Sequence, residues 1–236
     1  MRDDVTVKDV LSAVCVSGKI MYSYFFSIFE GVMTEEKLPF AKASVDGMLD
    51  LFDGEEFSSQ SKNIAKKYNQ YLTNEIERDK ISFIENLNVL YTSLFLSGLN
   101  NVPMTASSYL SIDKLMRGEA WEKVKLVYKK REYNYENLGY DADHIAIEIV
   151  YLQQLCALGD KMLENPDSSE EDFESLIYEL YDFLKEHVLT WIPDFLDLLI
   201  ISSKKLESDF YAFNGILLYE YLKSDYKLLE DYVLNK

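Results

Sequence analysis

The sequence predicts an all-α protein, and three observations lead to this prediction. Glycine and proline are scarce, with nine and four among 236 residues. Apolar residues recur at intervals of three and four along most of the chain, which is the spacing of one helix face. Few runs alternate between apolar and polar residues, so a β-sheet is not expected. We therefore predict a single helical domain of about nine or ten helices.

The predicted helices are defined by their apolar faces and by the breaks between them. Turn-forming residues at 34–39 and 53–54 separate the early helices, and Gly, Asn-Asn and Pro together mark a loop at 97–103. The apolar faces, in chain order, are Ile84, Leu87, Tyr91, Leu94 and Phe95; Ile145, Ile149, Leu152 and Cys156; Phe173, Leu176, Ile177, Leu180 and Leu184; and Phe210, Phe213, Leu217 and Tyr221.

Three later helices carry start signals. Asp143 is suited to be the N-cap or a first-turn residue of the helix that follows it. Ser168 or Ser169 can cap the next helix, whose first turn is acidic and so favoured by the helix dipole. Pro193, just after Trp191, suits a first turn because its missing N–H has no helical partner there.

A polar, tyrosine-bearing stretch at 132–142 is interpreted as a connector. It divides the chain into residues 1–131 and 143–236. Two helical lobes joined by this connector are therefore the alternative to one undivided body.

The amino-acid composition limits the kinds of partner that the protein can bind. The chain is 48% apolar and long enough to bury a core. Its formal net charge is -17 and its pI about 4.5. Such a field repels nucleic-acid phosphates and anionic lipid, so we expect no nucleic-acid partner, whereas a cationic ligand is attracted.

The location predicted from the sequence is the cytoplasm. No secretory signal pattern is present at the N-terminus. The most apolar early run, residues 20–33, is shorter than the roughly 20 residues of a membrane span, so no stable membrane insertion is expected. Cys15 and Cys156 lie in apolar helical patterns, which predicts buried free thiols in a reducing compartment, with a disulfide as the open alternative.

The residue inventory argues against an enzyme. His144 and His187 are the only histidines. A dinuclear carboxylate site needs two Glu-x-x-His pairs, and a zincin needs His-Glu-x-x-His. Glycine-rich phosphate loops are absent, and neither cysteine has a cationic setting. We therefore predict no catalytic residues, no metal and no cofactor.

The histidines have structural interpretations of their own. His144 and Glu148 are four residues apart and share a helix face, which favours either a local ion pair or a cap at the helix start. His187 and Trp191 are typical of residues packed between the C-terminal helices.

Three blocks of the chain carry a family resemblance. The first block begins with Tyr-Thr-Ser-Leu-Phe at 91–95 and the loop at 97–103. It continues with Ser-Ser-Tyr-Leu-Ser at 107–111 and Leu-Met-Arg-Gly-Glu-Ala at 115–120, and it ends at Val124 and Tyr128.

The other two blocks lie in the second half of the chain. One is Asp143-His144, followed by an aliphatic helix with Glu148. The last comprises Phe-Leu-Lys-Glu-His at 183–187, Trp191, Pro193, Phe195, Asp-Phe-Tyr at 209–211, and the helix at 217–222. In this order and spacing, the three blocks resemble the TorD/DmsD/NarJ family of cytoplasmic chaperones dedicated to molybdoenzymes.

The resemblance implies a chaperone. Such a protein would bind the twin-arginine signal peptide and/or the apo catalytic subunit of a molybdenum-cofactor oxidoreductase, and hold it for cofactor insertion before export. An acidic surface suits the two arginines, and an aromatic, Met-bearing groove suits the apolar stretch that follows them. The alternative is a helical scaffold or regulator with an unrelated partner, which explains the acidity equally well.

The resemblance also assigns peptide-binding residues. Asp143 would accept hydrogen bonds from arginine, with His144 beside it in the groove. The remaining members of the predicted site are Glu148, Tyr109, Gly118 and Pro103.

Two positions depart from the family pattern. Asp141 stands where the family has a proline before Asp-His, and Thr105 stands where it often has a tryptophan. Because relatives use both positions in leader recognition, the identity of the client stays open. Family members are also known to swap lobes between protomers, so a mixture of monomer and lobe-swapped homodimer is expected.

Overall fold

The computed structural model describes residues 6–97, 101–112 and 117–235. In these ranges the chain forms a single helical domain whose only β-pairing is an isolated bridge between Thr105 and His144. The all-α prediction is confirmed. The helices are α1 Val7–Phe29, α2 Lys37–Phe52, α3 Ser59–Tyr91, α4 Ser107–Leu110, α5 Glu119–Lys130, α6 Ile145–Glu164, α7 Glu170–Phe183, α8 Ile192–Lys205 and α9 Phe210–Asn235.

Short helical turns complete this part of the chain. Thr92–Leu96 and Leu184–Val188 are π-helical, and Glu136–Leu138 is a 3-10 turn. Residues 98–100 of the predicted loop and residues 115–116 of the first family block lie outside the described residues.

Capping side chains begin several helices. At α1, Thr6 Oγ1 accepts a hydrogen bond from the N–H of Asp9, while the Asp9 carboxylate accepts one from the N–H of Thr6. Ser169 and Asp172 form the same reciprocal pair at α7, so one of the two predicted caps is confirmed. Pro193 lies in the first turn of α8, as predicted. These caps satisfy N–H groups that have no partner within the helix.

The centre of the domain is the antiparallel pair formed by α1 and α6. A Cβ added to Gly18 would lie 2.6 Å from the Sγ of Cys156, and one added to Gly159 would lie 2.4 Å from the Sγ of Cys15. Each thiol therefore fills the notch that a glycine leaves on the facing helix. This reciprocal arrangement lets the two helix backbones approach closely.

The two cysteines are free and fully buried, which confirms the predicted buried free thiols; the reducing compartment stays a prediction. A hydrogen bond with the Cys15 thiol, together with burial, raises the pKa of the Cys156 thiol well above its ordinary value. Because thiolates rather than thiols react, this shift makes the Cys156 thiol chemically quiet in this conformation.

The prediction that the early apolar segment is too short to span a membrane is wrong. α1 starts at Val7 and has 23 residues, which is long and apolar enough to cross a bilayer. However, 56% of its most apolar window is buried within the protein. That burial, much of it against α6, is the pattern of a core helix in a soluble protein.

A buried polar network ties α9 to α1 and α3. The side chain of Asn214 accepts a hydrogen bond from the Tyr24 hydroxyl at 2.5 Å and donates one to the Tyr68 hydroxyl at 2.9 Å. The two hydroxyls also bond to each other at 2.8 Å. All three side chains are fully buried, so the network requires a specific alignment of three helices.

The connector at 132–142 is packed against the domain. Tyr133 and Tyr135 contact the ring of Tyr128 on α5, with centroid separations of 5.1 and 5.3 Å. The hydroxyl of Tyr140 donates a hydrogen bond to the carbonyl of Glu30, just beyond α1. Helices from before and after the connector also pack together, as α1 and α6 do. The division into lobes 1–131 and 143–236 stays a prediction.

Candidate functional site

The predicted site begins at the start of α6, where His144 is the N-cap. Its Nδ1 accepts a hydrogen bond from the N–H of Ala146 at 3.1 Å. The expectation that Asp143 would occupy the N-cap or first turn is therefore wrong, and the cap interpretation of His144 is confirmed. Its ring stacks on Tyr140 with centroids 4.5 Å apart. Burial lowers the pKa of His144 to about 4, so the imidazole is neutral near physiological pH.

Asp143 instead holds the neighbouring segment that leads into α4. Its Oδ2 accepts a hydrogen bond from the N–H of Ser107 at 2.8 Å. Its backbone carbonyl accepts from the N–H of Ala106 at 2.9 Å, and the N–H of Ile145 donates to the carbonyl of Met104 at 2.8 Å. These bonds fasten the segment 103–107 onto the start of α6.

Asp143 and Glu148 form what we call the buried acid pair. Both are almost completely buried, with exposures of 0% and 1%. Oε2 of Glu148 accepts a hydrogen bond from the indole N–H of Trp191 at 2.9 Å, so the predicted ion pair with His144 is not formed. The second oxygen of Asp143, Oδ1, is buried without a hydrogen-bond partner.

Burial sets the protonation of the acid pair. Loss of water raises the pKa of Asp143, against the lowering effect of the hydrogen bond from Ser107. Loss of water also raises the pKa of Glu148 well above its ordinary value, and the nearby charge of Asp143 adds to this. Burial therefore disfavours the charged forms of both side chains, and a nearby cation or further hydrogen-bond donors would offset this effect.

Tyr109 and Pro103 lie over the tryptophan that holds Glu148. The Tyr109 hydroxyl donates a hydrogen bond to the carbonyl of Pro103 at 2.7 Å. Its ring stacks on Trp191 with centroids 5.5 Å apart and meets Phe195 edge-on at 6.4 Å. The Tyr109 ring thus lies between the surface and the Trp191 indole that donates to Glu148.

Gly118 joins the site through Ser107. Its N–H donates a hydrogen bond to the Ser107 Oγ at 2.9 Å, and Ser107 in turn bonds Asp143. A Cβ at Gly118 would lie 2.2 Å from the Oγ of Ser111. Only glycine therefore fits at this start of α5 without displacing Ser111.

Contacts link all six predicted site residues into one neighbourhood, but their exposure differs. Asp143 and Glu148 are buried, whereas four are partly exposed: Pro103, Tyr109, Gly118 and His144. The predicted arginine acceptor is therefore inside the protein rather than on its surface.

The two positions that depart from the family pattern have local partners. Asp141 Oδ1 accepts a hydrogen bond from the Arg117 Nε at 2.8 Å. The Thr105 hydroxyl bonds that of Ser108 at 2.8 Å, and Thr105 is only 6% exposed. Both side chains stabilise the segments that flank the acid pair.

Sequence reasoning missed three parts of this site. Trp191 was taken for a packing residue, although a buried indole N–H usually has an acceptor, which was a usable signal. Asp194 is exposed at the start of α8. Burial is the main cause of the raised pKa of the Tyr109 hydroxyl, and the nearby charge of Asp194 raises that pKa further. Leu110 and Ile112 are largely exposed, which no spacing rule indicated.

Known proteins resemble this chain over most of its length. Residues 55–197 match the family described as nitrate reductase delta subunit. The chain is 25% identical over 213 residues to the chaperone protein TorD of Aliivibrio salmonicida (strain LFI1238), covering 89% of this chain and 93% of that protein. It is 32% identical over 130 residues to the chaperone protein TorD of Aliivibrio fischeri (strain ATCC 700601 / ES114), covering 52% and 54%. No solved structure gives a significant match.

The fold is an all-helical domain that encloses the buried acid pair. The described residues hold no group of three side chains able to ligate a metal, and the buried acid pair is enclosed by aromatic residues. The chain belongs to the nitrate reductase delta subunit family, in which the TorD chaperones fall, so the predicted family is confirmed. This family is not catalytic, and its general role is in molybdoenzyme maturation.

Proposed function

We propose that this protein binds the twin-arginine signal peptide and/or the apo catalytic subunit of a molybdenum-cofactor oxidoreductase. It holds that client in the cytoplasm for cofactor insertion before export. The family supports this proposal, and so does the net charge of -17, which attracts a peptide with two adjacent cations.

The observation that carries the proposal is the unpartnered oxygen of Asp143. A buried carboxyl oxygen without a hydrogen-bond partner is costly, and the second carboxyl of the acid pair lies five residues along the chain, in the first turn of α6. A guanidinium group supplies several donors and a delocalised charge in a planar fork. An arginine that entered here would satisfy Asp143 Oδ1 and favour ionisation of the pair.

Entry of an arginine requires the segment 103–109 to move. That segment closes over Asp143 through the bonds from Ser107 and Ala106, and Tyr109 is anchored on Pro103. Binding would therefore select an opened conformation, in which the leader's donors replace the one from Ser107.

The surface beside this segment suits the rest of a leader. Leu110 is 46% exposed and Ile112 is fully exposed, so an apolar stretch could pack there. Asp194, next to Tyr109, supplies an exposed negative charge for steering the arginines. Pro103, Gly118 and His144 would line the opened groove.

Isothermal titration calorimetry with a synthetic peptide tests the proposal. The peptide carries Arg-Arg followed by an apolar stretch, and a matched peptide carries Lys-Lys. We expect Asp143→Asn to weaken Arg-Arg binding about tenfold to a hundredfold. Asp141→Asn, in the same loop but already paired with Arg117, is the control and should change affinity much less.

Three results would contradict the proposal. These are a wild-type protein that does not bind the peptide, equal affinity for the two peptides, and an equal loss of affinity in the two variants. Circular dichroism of Asp143→Asn checks that the substitution leaves the helical fold intact.

We also propose the mixture of monomer and lobe-swapped homodimer. The connector at 132–142 is polar and long enough to change its path, although Tyr133 and Tyr135 must then leave Tyr128. Light scattering over a range of protein concentrations tests it. A single species at every concentration would argue against exchange.

A further inference from the structure

A cavity lies away from the acid pair, between α1, the end of α2 and the C-terminal half of α9. Its volume is about 400 Å³, within the range of small-ligand pockets. Its apolar and aromatic lining comes from Phe57, Tyr221 and Leu228. Two hydroxyl groups also line it, those of Ser17 and Ser224. On α1, Ser17 marks this cavity, and Phe29 marks the end near the acid pair, because Phe29 contacts Phe195, which contacts Tyr109. Ser17 and Phe29 are 12 residues apart, so about 18 Å of helix separates the two sites.

The wall of this cavity includes Asp225, which is 5% exposed. The Tyr22 hydroxyl donates a hydrogen bond to its Oδ2 at 2.6 Å, and the Tyr221 hydroxyl is a second donor. Ser17 bonds the Tyr221 hydroxyl in turn at 3.0 Å. Two tyrosines and a serine thus hold the carboxyl in a fixed position at the cavity.

None of the ion pairs among the described residues includes Asp225, and no lysine or arginine shifts its pKa. Buried carboxylates are normally paired with a cation, because removal from water otherwise disfavours their charged form. Burial accordingly raises the pKa of Asp225 to about 7. The hydroxyl donors alone do not replace the missing counter-charge.

The mouth of the cavity is also acidic. Glu56 and Asp231 line it and are exposed, and Lys227 is the one cationic side chain among its lining residues. With Asp225 ionised, the lining residues carry three carboxylates against one ammonium. An anion would be repelled, whereas a cation would be drawn in.

We propose that this cavity binds an organic cation, a guanidinium, amidinium or primary ammonium group, carried on a small apolar body. The cation pairs with Asp225, and the apolar body packs against Phe57, Leu228 and the ring of Tyr221, whose face favours a nearby positive charge. This cavity is distinct in position from the acid pair, and its proposed ligand chemistry does not depend on the proposed function.

Benzamidine and benzamide are suitable probes because they have nearly the same shape and only benzamidine is charged. We expect calorimetry to show saturable benzamidine binding that is at least about tenfold tighter than benzamide binding. Asp225→Asn should remove this preference. Asp231→Asn, which alters only an exposed carboxylate at the mouth, is the matched control and should preserve it.

A second variant keeps the test decisive if Asp225→Asn does not fold. Ser224→Phe fills the cavity and leaves Asp225 in place, and it should abolish benzamidine binding. Equal affinity for the two probes, no saturable binding to the wild type, or unchanged binding in Ser224→Phe would overturn the proposal.

A competition arm identifies the source of the cation. Displacement of benzamidine by the Arg-Arg peptide would identify a peptide arginine as the ligand. Benzamidine binding that the peptide leaves unchanged would identify a free small molecule. Either result agrees with the proposed chemistry.

Discussion

The close approach of α1 and α6 yields a sharp prediction for Gly159→Ala. Alanine in a helix interior is normally about 1 kcal/mol more favourable than glycine. At this position, however, the new Cβ would lie 2.4 Å from the Sγ of Cys15 and 3.3 Å from Cδ2 of Leu176. Overpacking of a filled core costs about 1–3 kcal/mol. The steric cost should cancel or exceed the propensity gain.

Gly47→Ala in α2 is the matched control, since no atom lies within 4 Å of its added Cβ. We expect Gly47→Ala to raise the free energy of unfolding by about 1 kcal/mol. Gly159→Ala should give a value lower than that of Gly47→Ala by about 1–3 kcal/mol. Urea unfolding followed by far-ultraviolet circular dichroism measures both.

A double variant tests whether the thiol is the cause. Cys15→Ala removes the Sγ that Gly159→Ala would meet, so the two substitutions together should be less destabilising than the sum of their separate effects. The packing argument is refuted if Gly159→Ala stabilises the protein as much as Gly47→Ala does, or if the double variant shows strict additivity.

Three further predictions concern single side chains. Ser169→Ala should lower the free energy of unfolding by about 1 kcal/mol through loss of the α7 cap, while Ser168→Ala should leave it nearly unchanged, as measured by urea unfolding. Asn214→Ala should lower it by about 1–3 kcal/mol because Tyr24 and Tyr68 lose their shared partner, and a thermal scan showing no loss would contradict the network. Because the folded-state pKa of Asp225 is raised to about 7, its contribution to stability is present below about pH 4 and is lost as the pH rises through 7. Between about pH 4 and pH 7, the free energy of unfolding of the wild type should fall by up to about 4 kcal/mol relative to that of Asp225→Asn. Urea unfolding at each pH measures both proteins, and parallel pH profiles would contradict the raised pKa of Asp225.

Local signals predicted much of the fold because they depend only on near neighbours. The Ser169 cap and the Pro193 helix start follow from the chemistry of a helix end, which a few adjacent residues determine. The prediction that Asp143 caps α6 was wrong because Asp143 and His144 are adjacent and both can accept the hydrogen bond. The long-range contact of Asp143 with Ser107 leaves His144 as the cap.

Long-range contacts could not be predicted in this way. Nothing local indicates that Cys15 faces Gly159 or that Trp191 reaches Glu148 across 43 positions. The family pattern named residues that the structure places in one neighbourhood. It could not indicate that Asp143 is buried, because burial depends on how the segment 103–109 closes over it.

Hydrogen–deuterium exchange with and without a saturating amount of the Arg-Arg peptide tests the central claim most directly. If the leader binds at the acid pair, exchange should change in peptides covering residues 101–112 and 140–148. At the same peptide concentration, Asp143→Asn should reduce that change, while Asp141→Asn should retain it. Bound peptide that leaves exchange in both segments unaltered, or alters it only elsewhere, would contradict the account.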